Sequence, residues 1–137
     1  MVYMKTIRKV ALAVFRGRKL LQVRTKSQES VFYTLGGKIE KGESDMECLK
    51  REVKEEINCE IDEPSLKFLT EFEDIAHGKG GALVNIRMYE GNLIGEPKPS
   101  SEVVEINYFD TGSDKKYLSL IAQRTIFPWL KKNNYIN

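Results

Sequence analysis

The pattern of apolar and polar positions divides the chain into strand-like stretches around one clearly helical segment. Thr6 to Phe15 (TIRKVALAVF) mixes β-branched residues with Ala. It predicts a strand ending at Arg16-Gly17-Arg18, a turn with glycine at its centre. Lys19 to Thr25 (KLLQVRT) predicts the second arm of a hairpin, and Val31 to Leu35 a third short strand running into Gly36-Gly37. The period then changes. From Ser44 to Ile57 the apolar positions Met46, Leu49, Val53 and Ile57 are spaced 3, 4 and 4, one face of an amphipathic helix. Ser44 with Glu47 makes a capping-box pattern at its start, and Asn58 a left-handed stop at its end. Further on, Leu66 to Phe72 and Ala82 to Tyr89 predict two strands joined by the loop His77-Gly78-Lys79-Gly80-Gly81. Pro97 to Ser101 predicts a second loop and Val103 to Phe109 another strand. In the tail, Leu118, Ile121, Ile126, Trp129 and Leu130 follow roughly helical spacing over Leu118 to Lys132, with Pro128 predicting a kink or break. Many strands with two helices, and more hairpins than strand–helix–strand units, predict an α/β domain with a mixed sheet.

Composition narrows the class. A chain of 137 residues is expected to form one domain, residues 1–137, with room for a real core. Apolar residues at 41% and charged residues at 31% are ordinary for a globular protein and argue against disorder. No apolar run reaches a membrane span, and the opening MVYMKTIRKV lacks the apolar core of a signal peptide, so the expected location is cytoplasmic. With 22 basic and 20 acidic residues the net charge is +2, too balanced to argue for a nucleic-acid partner. The two cysteines, Cys48 and Cys59, make no disulfide framework and fit no zinc spacing. They are predicted to be small apolar residues in or near the core.

The candidate chemistry lies on the helix. Glu52, Glu55 and Glu56 stand at i, i+3 and i+4, so their carboxylates share a face. Like charges so placed repel by about 0.2–0.5 kcal/mol per contact. They also lie near the helix C-terminus, where the macrodipole disfavours anions. Something positive should therefore sit on that face. It is either a nearby Arg or Lys or a hard divalent cation; oxygen ligands alone suit Mg²⁺ or Mn²⁺. The alternative is a solvated helix face laced with Lys50 and Lys54. Gly36-Gly37 bear on this choice, because they end a strand and allow the backbone to turn at positive φ with its amides close to an anion. A glycine turn facing a carboxylate-bound metal makes a diphosphate site, with Lys38 as an added cation. Gly37 and Gly42 also read as plain turn glycines, but that leaves the acidic helix unexplained.

In this register the residues resemble the Nudix box: Gly37, five residues, Glu43, seven residues, Arg51-Glu52, apolar Val53, one residue, Glu55-Glu56. The box spans 23 residues, Gly37 to Cys59, and the strand order around it is similar to the rest of the Nudix fold. Two positions depart from the pattern. Asn58 stands where the box has Gly, and Leu35 where many members have Pro; neither removes a ligand. The resemblance implies a Nudix-like α/β/α sandwich with a mixed β-sheet. It implies a hydrolase in which a metal-bound water cleaves the diphosphate of a nucleoside diphosphate-linked substrate, with Mg²⁺ or Mn²⁺ as cofactor. Carried over, Glu52, Glu55 and Glu56 are the metal ligands, and Glu43 and Arg51 stand behind them, Arg51 pairing a box glutamate and fixing its direction. Gly36, Gly37 and Lys38 hold phosphate, and Glu55, Glu56 and Arg51 are counted with the catalytic set.

The general base falls outside the box in several members of that family. Pro99-Ser100-Ser101-Glu102 resembles its usual loop, which makes Glu102 the candidate and Glu105 the alternative. His77, the only histidine, reads as a solvent-exposed loop residue. Phe32, Tyr33 and Tyr108 are candidates to stack on a base, against a reading as core, and Arg24 and Arg87 are candidates for phosphate, against a reading as solvated. The compact chain favours a nucleoside triphosphate pyrophosphohydrolase of MutT type. The alternatives are an ADP-ribose or ADP-sugar pyrophosphatase and, from another class, a non-catalytic nucleotide-binding regulatory domain. The complete set of box glutamates argues against that last reading and against a merely structural helix. The expected partner is a small nucleotide, with no membrane, and the resemblance is compatible with a homodimer.

Overall fold

A computed structural model describes residues 5–27, 30–75 and 80–137. Strand β1 (Thr6–Ala13) runs parallel to β7 (Leu83–Ile94), which pairs antiparallel with β6 (Glu60–Ile75). On its other side β1 pairs antiparallel with β5 (Gly36–Lys38), giving one mixed sheet in the order β5-β1-β7-β6. A second sheet is centred on β3 (Lys19–Thr25), with β8 (Val103–Phe109) along one side and β2 (Phe15–Arg16) and β4 (Tyr33–Thr34) along the other.

Alternation along the strands sends side chains to two cores. Val10, Leu12, Leu21 and Val23 pack with Cys48, Leu49, Val53 and Ile57 of helix α1 (Asp45–Ile57). Ala11, Ala13 and Leu20 point the opposite way, into a cluster with Phe127 and Leu130 of helix α2 (Phe127–Lys132). This is the expected α/β/α arrangement with a mixed sheet, a helix covering each side. Among the described residues no helix is long and apolar enough to cross a membrane.

Several predicted boundaries move, each for a physical reason. The first strand ends at Ala13 rather than Phe15, since the Val14 carbonyl turns to accept the Leu21 N–H at 2.9 Å. The stretch 31–35 is not one strand: it breaks at Leu35, and Gly36-Gly37 belong to β5, paired with Ala11 and Val10, instead of forming a turn. Strands β6 and β7 run longer than the patterns over 66–72 and 82–89 suggest. Pro64, which masks the start of β6, sits on an edge strand inside a register shift between Asp62 and Lys67, where a missing N–H costs no ladder bond. Val103–Phe109 forms as predicted.

The tail begins with a 3₁₀ turn at Lys115–Tyr117 and continues through a π-helical turn, Ala122–Ile126, in which the Phe127 N–H bonds back to the Ala122 carbonyl. The widened turn ends just before Pro128, whose ring would crowd the carbonyl four residues back in a regular α-helix. His77, Gly78 and Lys79 of the predicted loop lie outside the described residues.

Both cysteines are buried, as expected, and burial pushes the Cys48 thiol up to about 12. A thiol held neutral and out of water reacts poorly. Native protein should therefore leave a disulfide reagent such as DTNB unreacted over minutes, and two thiols should appear on adding guanidinium.

Candidate active site

The site is built on the C-terminal half of α1. Its start is fixed as the sequence predicts: the Ser44 hydroxyl accepts from the Glu47 N–H at 3.1 Å and the Glu47 carboxylate accepts from the Ser44 N–H at 3.0 Å. A second tie was not legible beforehand. Asp45 accepts from both ends of the Arg87 guanidinium on β7, with the Nε contact at 2.9 Å, and from the Tyr89 hydroxyl at 2.6 Å. Arg87, a third exposed, thus anchors the first turn of α1 to the central sheet. Its partners could have been sought from Arg87 and Tyr89 alternating on one strand face, and from an acidic residue at a helix N-terminus. Replacing Ser44 by Ala should cost about 1 kcal/mol of stability, read as a fall in the denaturant midpoint with unchanged slope.

The helix end is capped by the backbone of the following loop. Asn58 adopts the left-handed conformation (φ 54°, ψ 40°), and its N–H reaches the Lys54 carbonyl. The Glu56 and Ile57 carbonyls accept from Ser100 N–H and Lys98 N–H, each at 3.0 Å. These bonds satisfy orphan carbonyls and dock the loop that precedes β8 against the acidic face. As a result Glu102 joins Glu52, Glu55, Glu56 and Thr25 around one cavity of about 150 Å³. Glu105 does not reach it: its carboxylate accepts from Arg24 Nε at 2.9 Å on the far face of β3 and β8. The structure thus separates two candidates that sequence spacing left open.

The glycines serve the carboxylates. The Gly36 N–H donates to Glu56 Oε1 at 2.9 Å, so the anion that this amide meets is a side chain of the protein. Gly36 has φ +136°, and a Cβ there would lie 2.1 Å from the Val10 carbonyl oxygen, which excludes any side chain. At Gly37 a Cβ would lie 2.5 Å from the Glu52 carboxyl carbon. Here the obstacle is the end of a flexible side chain. Gly37→Ala should therefore fold normally while displacing the Glu52 carboxylate, and we expect kcat/KM to fall about 10–100-fold with little change in Tm.

Arg51 organises this face. Its Nε and Nη2 donate to the two Glu43 oxygens at 2.7 and 3.0 Å, its Nη1 to Glu52 Oε1 at 2.7 Å, and Nη2 also to the Lys38 carbonyl at 3.1 Å. Glu55 stands 3.6 Å from Nη1 and is half exposed. The guanidinium and the Glu40 N–H hold the Glu43 carboxyl down at about 2. Glu52 moves the other way: burial outweighs Arg51 and raises it. Burial raises Glu56 furthest, to about 8, against the opposing Gly36 hydrogen bond.

This donor set fits a hard divalent cation in its chemistry, being all oxygen, partly dehydrated and short of positive charge. Among the described residues no three of these side chains already converge at ligand spacing. Glu52 is drawn to Arg51 and Glu56 to Gly36, and rotation of their flexible side chains into the shared cavity is what a cation requires.

The remaining candidates fall into place around this centre. Lys38 is exposed at the end of β5. Tyr33 lines a second cavity of about 110 Å³ between the sheets, which shares Thr25 and Glu56 with the carboxylate cavity. Phe32 is core at 3% exposure, and Tyr108 lies under the Arg16 guanidinium at 5.2 Å.

Two packed sheets thus bring an acidic helix end, an arginine clamp and a docked carboxylate loop together on an α/β/α scaffold. The family profile described as the NUDIX domain matches residues 5–130. The chain belongs to the Nudix family and is a Nudix pyrophosphohydrolase, a class that acts on small nucleotide substrates and generally uses a divalent metal.

Solved structures agree on the fold. The chain is 20% identical to the E. coli ORF135 protein, with a TM-score of 0.71 and coverage of 95% of this chain and 94% of that one. It is 19% identical to the MutT NUDIX hydrolase from Burkholderia pseudomallei, with a TM-score of 0.73 and coverage of 90% and 97%. It is 16% identical to the E. coli dihydroneopterin triphosphate pyrophosphohydrolase, with a TM-score of 0.66 and coverage of 95% and 98%.

Proposed function

We propose that this chain hydrolyses the diphosphate linkage of nucleoside triphosphates, using Mg²⁺ or Mn²⁺ held by Glu52, Glu55 and Glu56. The observation that carries the reading is the meeting of these three carboxylates with Glu102 around one cavity. When bound, the metal neutralises phosphate oxygens and lowers the pKa of a coordinated water. Glu102, brought in by the loop bonded to the end of α1, accepts the proton of the attacking water. Arg51 gathers Glu52, Glu43 and the Lys38 carbonyl around one guanidinium, so Glu52 is kept beside the cavity into which it turns when the metal binds. Lys38 supplies a cation toward the phosphates. The inter-sheet cavity, walled by Ile86, Ile121, Ile126 and Tyr33, receives the nucleoside beside Glu56.

One of the proteins named above, the E. coli dihydroneopterin triphosphate pyrophosphohydrolase, acts on a triphosphate by its title, which is in keeping with a triphosphate for this chain. The test is product release over a panel of nucleoside triphosphates, 8-oxo-dGTP, ADP-ribose, ADP-sugars and dinucleoside polyphosphates, with Mg²⁺ and with chelator. Release of pyrophosphate from a triphosphate, lost with chelator, is the expected result. Preference for an ADP-sugar would move the assignment to the sugar nucleotides. Nucleotide binding without turnover would move it to a regulatory role.

A further inference from the structure

The inter-sheet cavity beside Glu56 is small, and aliphatic side chains make up much of its wall, Val10, Val23, Ile86, Ile121 and Ile126 among them. Its volume is about 110 Å³. An apolar cavity of about 150 Å³ takes up benzene, so this space suits one six-membered ring rather than a fused pair.

Two hydroxyls interrupt the aliphatic wall, those of Ser119 and Thr34. Each oxygen is already engaged as an acceptor. Ser119 begins the tail helix: its carbonyl accepts from the Gln123 N–H at 3.0 Å and its Oγ from the Ala122 N–H at 3.3 Å, the arrangement of an N-cap serine. Thr34 Oγ1 accepts from Gln22 Nε2 at 3.2 Å. A hydroxyl carries one proton, and neither of these protons meets an acceptor among the described residues. Ser119 is only 2% exposed, so bulk water is a poor substitute for one.

Gln22 sharpens the pattern. Its side chain is fully buried, its Oε1 is unpaired among the described residues, and its amide donates to Thr34 alone. A half-satisfied amide in a core is costly. Its one bond holds Thr34 as an acceptor and leaves the Thr34 proton to be given elsewhere. The polar part of the wall at Ser119 and Thr34 is therefore set to donate.

We infer that this cavity selects a pyrimidine with two ring carbonyls, uracil or thymine, and that Ser119 and Thr34 donate to its carbonyl oxygens. Base selection of this kind rests on the reading above that places the nucleoside here. Cytosine carries an amino group where uracil has an oxygen, so donor would face donor. Adenine has no carbonyl, and both purines bring a second ring against the aliphatic wall. A buried hydroxyl left unpaired by the wrong base is what makes such a site discriminate.

The experiment is an NMR titration of the isotopically labelled chain with UMP, dTMP, CMP, AMP and GMP, in chelator. The phosphate is common to all five, so differences report the base. UMP and dTMP should move the amide signals of Gly36, Ile86 and Ser119, and should bind at least about tenfold more tightly than the other three. Ser119→Ala should narrow the preference for UMP over CMP to about threefold or less. Should loss of the cap unfold the tail, Ser119→Gly, which costs a helix start little, removes the same hydroxyl and should narrow it equally. Equal binding of UMP and CMP, a preferred purine, an unchanged preference in the Ser119 variants, or no shift at millimolar nucleotide would each overturn the assignment. Neither metal nor turnover enters this titration. Selection of UMP by a chain that hydrolyses no triphosphate in Mg²⁺ would leave the base assignment standing and remove the triphosphate. Hydrolysis of triphosphates without regard to the base would do the reverse.

Discussion

Glu56→Gln should lose metal-dependent hydrolysis by about 10³-fold or more and yet yield a chain that is more heat-resistant in chelator at pH 9. The two effects have one origin. Glu56 is the most buried of the box carboxylates, and its carboxyl is raised from the ordinary 4.5 to about 8, chiefly by burial. A folded-state value above the unfolded one means that the native chain holds the proton more tightly. The stabilisation is whole below about 4.5, declines as pH rises, and is gone once pH passes about 8. At pH 9 the metal-free chain buries an anion, met by the Gly36 N–H and by the charge of Lys9 but still held largely out of water. The glutamine amide keeps an oxygen for that N–H and carries no charge. A gain of roughly 3–10 °C in Tm is expected at pH 9, shrinking towards zero near pH 5.

The order should reverse on adding Mg²⁺, because a cation bound only to the native state stabilises the natural chain and not the variant. For activity, a lost ligand removes several kcal/mol of charge stabilisation, and each 1.36 kcal/mol is tenfold in rate. Thermal scans at pH 5, 7 and 9, each with chelator and with Mg²⁺, check the stability half. Retained turnover by Glu56→Gln would remove this residue from the ligand set.

Helix α1 was readable because its signals are local. Ser44 and Glu47 cap it, the apolar spacing runs from Leu49 to Ile57, and Asn58 stops it in the left-handed region. The grouping of Glu52, Glu55 and Glu56 follows from helical spacing alone. Contacts between distant segments were the unreadable part. The sequence shows that Gly36 and Gly37 are special but not that the crowding atoms are the Val10 carbonyl and the Glu52 carboxyl group. Arg87 meets Asp45 across 42 positions, and nothing local predicts the pairing. The charged and proline-containing start of β6, Glu60 to Pro64, lacks an alternating pattern because it is an exposed edge with register shifts. Glu102 and Glu105 are equivalent by spacing. Only the docking of Lys98 and Ser100 on the α1 carbonyls distinguishes them.

Arg51→Lys should prove nearly as damaging to hydrolysis as Arg51→Ala, with both reducing kcat/KM about 10²-fold or more. A charge alone would be restored by lysine. What Arg51 does is geometric: one planar group spans both Glu43 oxygens, Glu52 Oε1 and the Lys38 carbonyl, at 2.7 to 3.1 Å. A single ammonium with three rotatable donors cannot span that set, and the fork geometry is lost on substitution. Removing the guanidinium also leaves Glu43 and Glu52, whose side chains are only 14% and 15% exposed, facing each other without a cation between them. The Glu43 carboxyl, held at about 2, should then return towards the ordinary carboxylate range, its main partner being gone. With the Arg51 bond absent, the burial that already raises Glu52 acts unopposed and carries it higher. Metal affinity should accordingly become more pH-dependent in the variants, because a ligand that holds a proton must lose it to coordinate. Titrating Mn²⁺ into the natural chain and both variants between pH 6 and 8.5 measures this directly. Full activity in Arg51→Lys would show that charge suffices and that the fork is dispensable.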